Sequence, residues 1–344
     1  MESKKITVSI AAYKVEKYIE KTLLSVLAQD YPNIEIIVVD DCGGDNTVDI
    51  VRGIQSTHQR GNIIRLISHP HNIGTGAARN TGIDEAKGEY IFFLDGDDYI
   101  EKNTLSKLYS IITRTNDDLV VSSHRIVDEE GTELDKIIYN ENQVRGEYAA
   151  AKWIQSCKQK FPPYLWNKIY KLSFLKENNI RATSHHRNED PWFTFQAMFA
   201  AKSITFISDI TLNYVMRPGS TIHQDLSEFY YRQYMEMYNS MSSLLDNKLK
   251  NGYDVPIEYF EYFGWRCFGH LNSVLHSTFS KKEKLVYYSH IKQLAKTNIK
   301  SKHFGLTYYK INYYLLYKCN SIIMYKLVNR IMSLLMKFRI LKRP

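Results

Sequence analysis

The sequence is short of the residues that build metal or disulfide frameworks. It has four cysteines, Cys42, Cys157, Cys267 and Cys319, far apart and never in a CxxC pair. That spacing argues against a zinc site or a stapled fold and fits a reducing compartment. No uncharged apolar run reaches the ~18–20 residues that a membrane-spanning helix needs. The stretch MESKKITVSIAAY runs directly into a strand pattern, so no signal peptide is expected. Internal repeats and low-complexity linkers are missing too. Acidic residues vanish at one end. From Lys284 to Pro344 there are 13 Lys/Arg and no Asp or Glu, which leaves 32 of the 45 basic residues against all 37 acidic ones. The formal charge of +8 therefore belongs to the tail, and the rest of the chain is net −5. Such a distribution is not the footprint of a nucleic-acid binder, and no nucleic-acid partner is expected.

What is present reads as a globular protein. A chain of 344 residues with 44% hydrophobic and 24% charged residues can form one large domain or two ordinary ones. Its first half alternates strand and helix patterns. Strands are expected over 6–13, 34–41, 62–69, 89–95 and 118–127. Between them fall helices over 15–29, 45–57, 74–88 and 104–115. The run IEIIVVDD is apolar almost throughout, as in a parallel sheet covered on both faces. Repeated units of this kind predict a doubly wound α/β sheet with right-handed crossovers. Beyond Val127 the pattern loosens. KFPPYLWNKIYK (160–171) cannot be mid-helix. A helix entered at Pro191 and paired short strands over 203–217 are expected next. From Ser227 the sequence is helical and aromatic, and the 26 tyrosines crowd this half.

Ligands bind off the carboxyl ends of the strands of an open parallel sheet. The chemistry-bearing residues fall at those ends: Tyr13 after the first strand, Asp40 and Asp41 after the second, 69–76 after the third. The fourth, in YIFFLDGDDY, runs into Asp95, Asp97 and Asp98. Like charges this close repel, and burial makes the repulsion worse. Either the turn is solvated or a cation is held there.

These blocks in order, VSIAAYKVEKYIEKTLLSVLAQ (8–29), EIIVVDDCGGDNT (35–47) and NIGTGAARNTGIDEAKGEYIFFLDGDD (72–98), resemble the family 2 glycosyltransferases of GT-A fold. So do WNKIY (166–170), NEDPWF (188–193) and RPGST (217–221). The resemblance covers roughly residues 5–225. It implies a Rossmann-like, mostly parallel sheet flanked by helices, then a helical C-terminal region, with domains over 1–225 and 226–344. Asp95-Gly96-Asp97 resembles the DXD motif, which implies Mn²⁺ or Mg²⁺ on the diphosphate of a nucleotide-sugar; hard oxygen ligands suit either ion. Gly96 lets a ligand approach the backbone. The same resemblance gives Asp41 to a base N–H, most often uracil's, with Tyr13 on the ring and Ala11 and Ala12 lining the pocket. Asp41 can equally cap the next helix. Lys14 and CGG (42–44) depart from the family's usual Asn and Ser or Gly-Ser. Gly74 enters the helix that carries Arg79. Arg79 reaches the nucleotide, supports the Asp cluster, or makes a plain salt bridge.

Glu189-Asp190 resembles the ED motif. It implies Asp190 as general base, with Glu189 orienting it or binding acceptor. Asp190 before Pro191 is also a good helix cap. Arg217 and Ser220 are expected on acceptor or phosphate, and His223 as a third metal ligand. Trp166 and Lys168 either shape the acceptor floor or are core. The implied activity is inverting transfer from a UDP-hexose or UDP-N-acetylhexosamine to a growing surface glycan, such as capsule or lipopolysaccharide, or to a lipid-linked saccharide. Two other functions compete: a non-enzymatic membrane-tethered scaffold and a sugar nucleotidyltransferase. The latter's Gly-rich N-terminal loop is missing from SIAAYK. GTGAA (74–78) is no dinucleotide loop, since it follows the third strand and lacks the third glycine. The tail over 304–344 mixes apolar and basic residues, with Lys310, Lys318, Lys326, Arg330 and Lys337 recurring at steps of four to eight. A helix of that kind lies on an anionic membrane surface, packs on the protein or pairs in a homodimer. The expected location is cytoplasmic, peripheral on the inner membrane face.

Overall fold

The computed structural model describes residues 3–183, 189–217, 228–277, 279–294, 299–318 and 322–337. It divides into two compact units, Met1–Tyr230 and Tyr231–Pro344. The first is built on β1 (Ile6–Ala12), which lies between β2 (Ile34–Asp40) and β4 (Tyr90–Asp95); β3 (Ile64–Ser68) extends the sheet beyond β2. These four strands are parallel, with Ala12 opposite Asp40 and Ala11 opposite Asp95. The two faces of β1 differ in size. Ile6, Val8, Ile10 and Ala12 enter the main core with Ile19, Leu23, Val26 and Leu27 of α1 (Ile19–Leu27). On the other face small residues let α3 (Thr75–Glu85) lie close, where Ala78 joins Ile37 and Val39 in a second core. Helices on both faces explain why every residue of β2 is buried.

The sheet continues through β9 (Lys168–Lys171), β6 (Leu119–Val127), β10 (Ser203–Val215) and β5 (Tyr99–Ile100). Strands β9 and β5 run antiparallel to their neighbours. β7 (Glu133–Ile137) and β8 (Asn142–Arg145) pair antiparallel at the side, so the far half is mixed.

Two expectations change here. Residues 203–217 do not form paired short strands. β10 is a single strand parallel to β6, with register shifts between Ile207 and Ile210 and between Ile210 and Leu212. The polar Ser208-Asp209 reads as a turn but sits at this irregularity, where Ser208 donates to Glu141 and Asp209 pairs with Lys107. The helix expected at Pro191 is α7 (Glu189–Ala200), which starts two residues earlier and carries Glu189 and Asp190 in its first turn.

The second unit is helical: α9 (Ile257–His276), α10 (Lys281–Leu294), α11 (Thr307–Lys318) and α12 (Ile322–Lys337), with most of α8 (Glu228–Lys250) before them. Its tyrosines are core residues. Tyr238, Tyr259, Tyr287, Tyr309 and Tyr325 are fully buried, and the Tyr238 hydroxyl meets His270 Nδ1 at 2.9 Å. The tail is divided between α11 and α12, so Lys310 lies on a different helix from Lys326 and Arg330.

Candidate active site

The end of β1 is pinned to both neighbours. Asp41 donates its N–H to the Ala12 carbonyl (2.9 Å) and Gly96 donates to the Ala11 carbonyl (3.0 Å). Tyr13 follows, exposed, with the Lys14 ammonium 5.3 Å from its ring centre. Lys14 (φ 53°) and Cys42 (φ 58°) both have left-handed backbone. These are two of the positions that depart from the family pattern, and Asn tolerates this conformation better than Lys.

Asp41 holds a loop. Its Oδ1 accepts from Ile73 N–H (3.0 Å) and lies 2.7 Å from His69 Nδ1; its Oδ2 accepts from Gly74 N–H (2.8 Å). His69 Nε2 lies 3.0 Å from the Thr81 hydroxyl. A base N–H could still use the second lone pair of Oδ2.

Arg79 is the hub. Buried in α3, it donates to Asp95 Oδ1 (2.7 Å) and Glu189 Oε1 (3.1 Å) and pairs with Asp190. Burial works against its charge, but Asp95 and Glu189 outweigh that and hold it above its ordinary range. One guanidinium thus joins the end of β4 to the start of α7. Gly76 makes this possible. A Cβ there would lie 1.7 Å from the Thr183 carbonyl oxygen and 3.0 Å from Glu189 Cβ.

Carboxylate oxygens of Asp95, Asp97 and Asp98 lie within 4.8 Å of one another. Asp97 accepts from Arg217 Nε (2.6 Å), and the Arg217 guanidinium stands 5.1 Å from the centre of the Tyr18 ring. The Tyr18 hydroxyl in turn donates to Glu129. Asp98 is 1% exposed; its Oδ1 accepts from Val215 N–H (2.8 Å), and its buried Oδ2 has no hydrogen-bond partner among the described residues. Burial, then Asp97 and Asp95, push the Asp98 carboxyl well above the usual range. Burial and Asp95 also raise Asp97, against the pull of Arg217. The cluster is short of positive charge, and a hard divalent cation fits it.

Three expected roles meet a different placement. Gly96 faces protein rather than ligand: a Cβ there would meet the Ala11 carbonyl oxygen and Val15 Cγ2, each at 3.0 Å. Trp166, 3% exposed, is stacked between Tyr164 (4.5 Å) and Tyr214 (5.5 Å), so neither of its faces can form an acceptor floor. Lys168, 1% exposed, donates to the carbonyls of Pro162 (3.3 Å) and Tyr164 and to Asn167 Oδ1 (2.8 Å). Its ammonium ties the 161–167 loop together, and burial drives its pKa well down. Ser220 and His223 lie outside the described residues. Sequence reasoning assigned no role to His69, Tyr18 or Glu129. The position of His69 at a strand end was a usable signal, but nothing in the sequence marked the Tyr18–Glu129 pair.

A β3-β2-β1-β4 sheet with paired acidic motifs at its carboxyl edge agrees with the GT-A fold expected of a glycosyltransferase. The crystal structure of Staphylococcus aureus TarS 1–349 in complex with UDP-GlcNAc shares that fold: TM-score 0.73, 21% identity, 94% of this chain and 89% of that one covered. More narrowly, the chain belongs to glycosyl transferase family 2, whose pattern its residues 7–177 match. TuaG of Bacillus subtilis, named for teichuronic acid biosynthesis, is 32% identical over 222 residues (56% of this chain, 87% of that protein). EpsH of the same organism, named as a glycosyltransferase, is 28% identical over 258 residues (73% and 72%). Full-length TarS, a poly(ribitol-phosphate) beta-N-acetylglucosaminyltransferase, is 29% identical over 216 residues, and the match spans only 36% of its length.

Proposed function

We propose that this glycosyltransferase moves a hexose or N-acetylhexosamine from a UDP-sugar to a hydroxyl of a growing surface glycan or lipid-linked saccharide. The reaction is a single in-line displacement that inverts the anomeric centre. Asp190 takes the proton of the acceptor hydroxyl as that oxygen attacks. Arg79 bonds to Asp95, Glu189 and Asp190, and this shared contact supports the reading, because the carboxylate proposed as base then stands beside the end of β4. Tyr13, Ala11, Ala12, Asp41 and Gly74 border the nucleotide, and Arg217 is poised for phosphate. Asp95, Asp97 and Asp98 would hold Mn²⁺ or Mg²⁺, with His223 as a further ligand; when bound, the cation offsets charge on the departing diphosphate. What supports this is the donor set, three carboxylates with one buried oxygen unpartnered. A lipid-linked acceptor places the enzyme on the cytoplasmic face of a membrane. The test is a panel of nucleotide-sugars with acceptor glycans, with the product linkage read by NMR. An α-linked donor should give a β-linked product, and Asp190→Asn should lower turnover by about 10²–10⁴ with donor binding retained. Retained anomeric configuration, or full activity of the variant, refutes the mechanism.

A further inference from the structure

Helix α12 leaves a long apolar face uncovered. Ile323, Leu327, Ile331 and Leu334 are 48–75% exposed, although Tyr325, Asn329 and Met332 of the same helix are buried. At ~100° per residue these four apolar side chains fill one arc of about 80°. The buried three fall roughly opposite. Lys326, Arg330 and Lys337 project together along one border of the apolar arc. They are not dispersed round the helix.

Helix α10 adds to that border. Its Tyr288 ring meets Tyr325 edge-on at 5.6 Å, so the two helices touch at that point. One turn before Tyr288, Lys284 comes near enough to Lys326 that, after burial, its charge and that of Arg330 lower the Lys326 pKa. The nearest acid in sequence, Glu283, is occupied at the start of α10, where it accepts from Ser280 N–H (2.7 Å). No Asp or Glu occurs from Lys284 to the end of the chain. Glu283 still reaches Lys284 electrostatically, but Lys326, Arg330 and Lys337 have no acid in their own segment. No helix among the described residues is long and apolar enough to cross a membrane.

We propose that the Ile323–Leu334 face of α12, with the Lys284–Lys326–Arg330 border, is a docking surface for an anionic phospholipid bilayer. Apolar side chains enter the acyl boundary while the lysine and arginine stems reach back to the headgroup phosphates. Charge selects the occupant. An antiparallel second copy of this face would bring the same cations together, and a parallel one would leave them without a partner, whereas a bilayer bearing anionic lipid neutralises them. The proposal deepens the membrane location proposed for the acceptor, but its test reads lipid binding, so either can fail alone.

The test is flotation of the full-length protein with phosphatidylcholine vesicles, and with vesicles containing added phosphatidylglycerol. Binding should need the anionic lipid and weaken with salt. The double variant Lys326→Glu, Arg330→Glu reverses two charges, and with about fivefold per unit of charge it should weaken binding about 10²-fold or more. Leu327→Asp with Ile331→Asp should abolish binding at any salt concentration. All four positions are on the outside of the helix, and circular dichroism checks the fold; Lys326→Arg with Arg330→Lys should bind as wild type. Binding that ignores lipid charge overturns the proposal. So does wild-type protein that stays off vesicles, or a dimer in ultracentrifugation that Leu327→Asp dissociates without any effect on lipid binding.

Discussion

Asp98 is the least comfortable side chain in the site. It is buried beside two other carboxylates, and one of its oxygens has no hydrogen-bond partner among the described residues. Without a cation it costs stability; the proposed cation would take it as an oxygen ligand. Asp98→Asn removes the repulsion and can still accept from Val215 N–H. The metal-free variant should be unchanged or more stable by about 1 kcal/mol, and should lose most activity. A clear fall in its metal-free melting temperature would show that the carboxylate is not strained. His124 is a second buried titratable group. Burial, then the neighbouring Lys168, lowers its pKa to about 4. Above about pH 6.5 it is neutral whether folded or unfolded. Below that the unfolded chain takes up a proton that the folded protein refuses, so stability falls as pH drops toward 4, by up to about 3 kcal/mol. His124→Phe keeps the edge-on contact with Trp166 (4.8 Å). Its unfolding free energy should depend less steeply on pH in that window. A slope equal to that of wild type would mean that His124 is not the group responsible.

At the scale of elements, α3 does the most for the site. It crosses β1 closely, carries Arg79 at its centre and meets the start of α7 at Gly76. Gly76→Ala would drive a methyl into the Thr183 carbonyl. The expected loss is about 1–3 kcal/mol, with turnover falling further than donor affinity, because Glu189 and Asp190 move before the nucleotide pocket does. Equal loss of KM and kcat effects, or none, would argue against this coupling. The same element shows what could be read from the sequence. GTGAARNTG is regular enough to give a helix and its arginine, and the runs before Asp41 and Asp95 give strands with acids at their ends. Trp166 and Lys168 were harder. They flank the start of a four-residue strand, and a piece that short has too few alternations to say which side chains face the core. Residues 203–217 misled for a related reason: Ser208-Asp209 has turn chemistry, but long-range pairing to β6 carries the chain through it. Of Arg79's three carboxylate partners, Asp95 is near in sequence, but Glu189 and Asp190 lie 110 residues or more away, and contact at that separation has no local signature.

On the scale of the whole molecule, β1 between β2 and β4 brings motifs distant in sequence to one edge of the sheet, and the fold follows from that arrangement. In the proposed mechanism Asp95, Asp97 and Asp98 bind nucleoside diphosphate through a divalent cation, while Asp190 serves chemistry alone. Calorimetric titration with UDP tests it most directly. Wild-type protein with Mn²⁺ should bind UDP, and EDTA or Asp97→Ala should each abolish that binding. Asp190→Asn should bind within about threefold of wild type. Binding of UDP that is equally tight in EDTA and in Asp97→Ala would contradict the account.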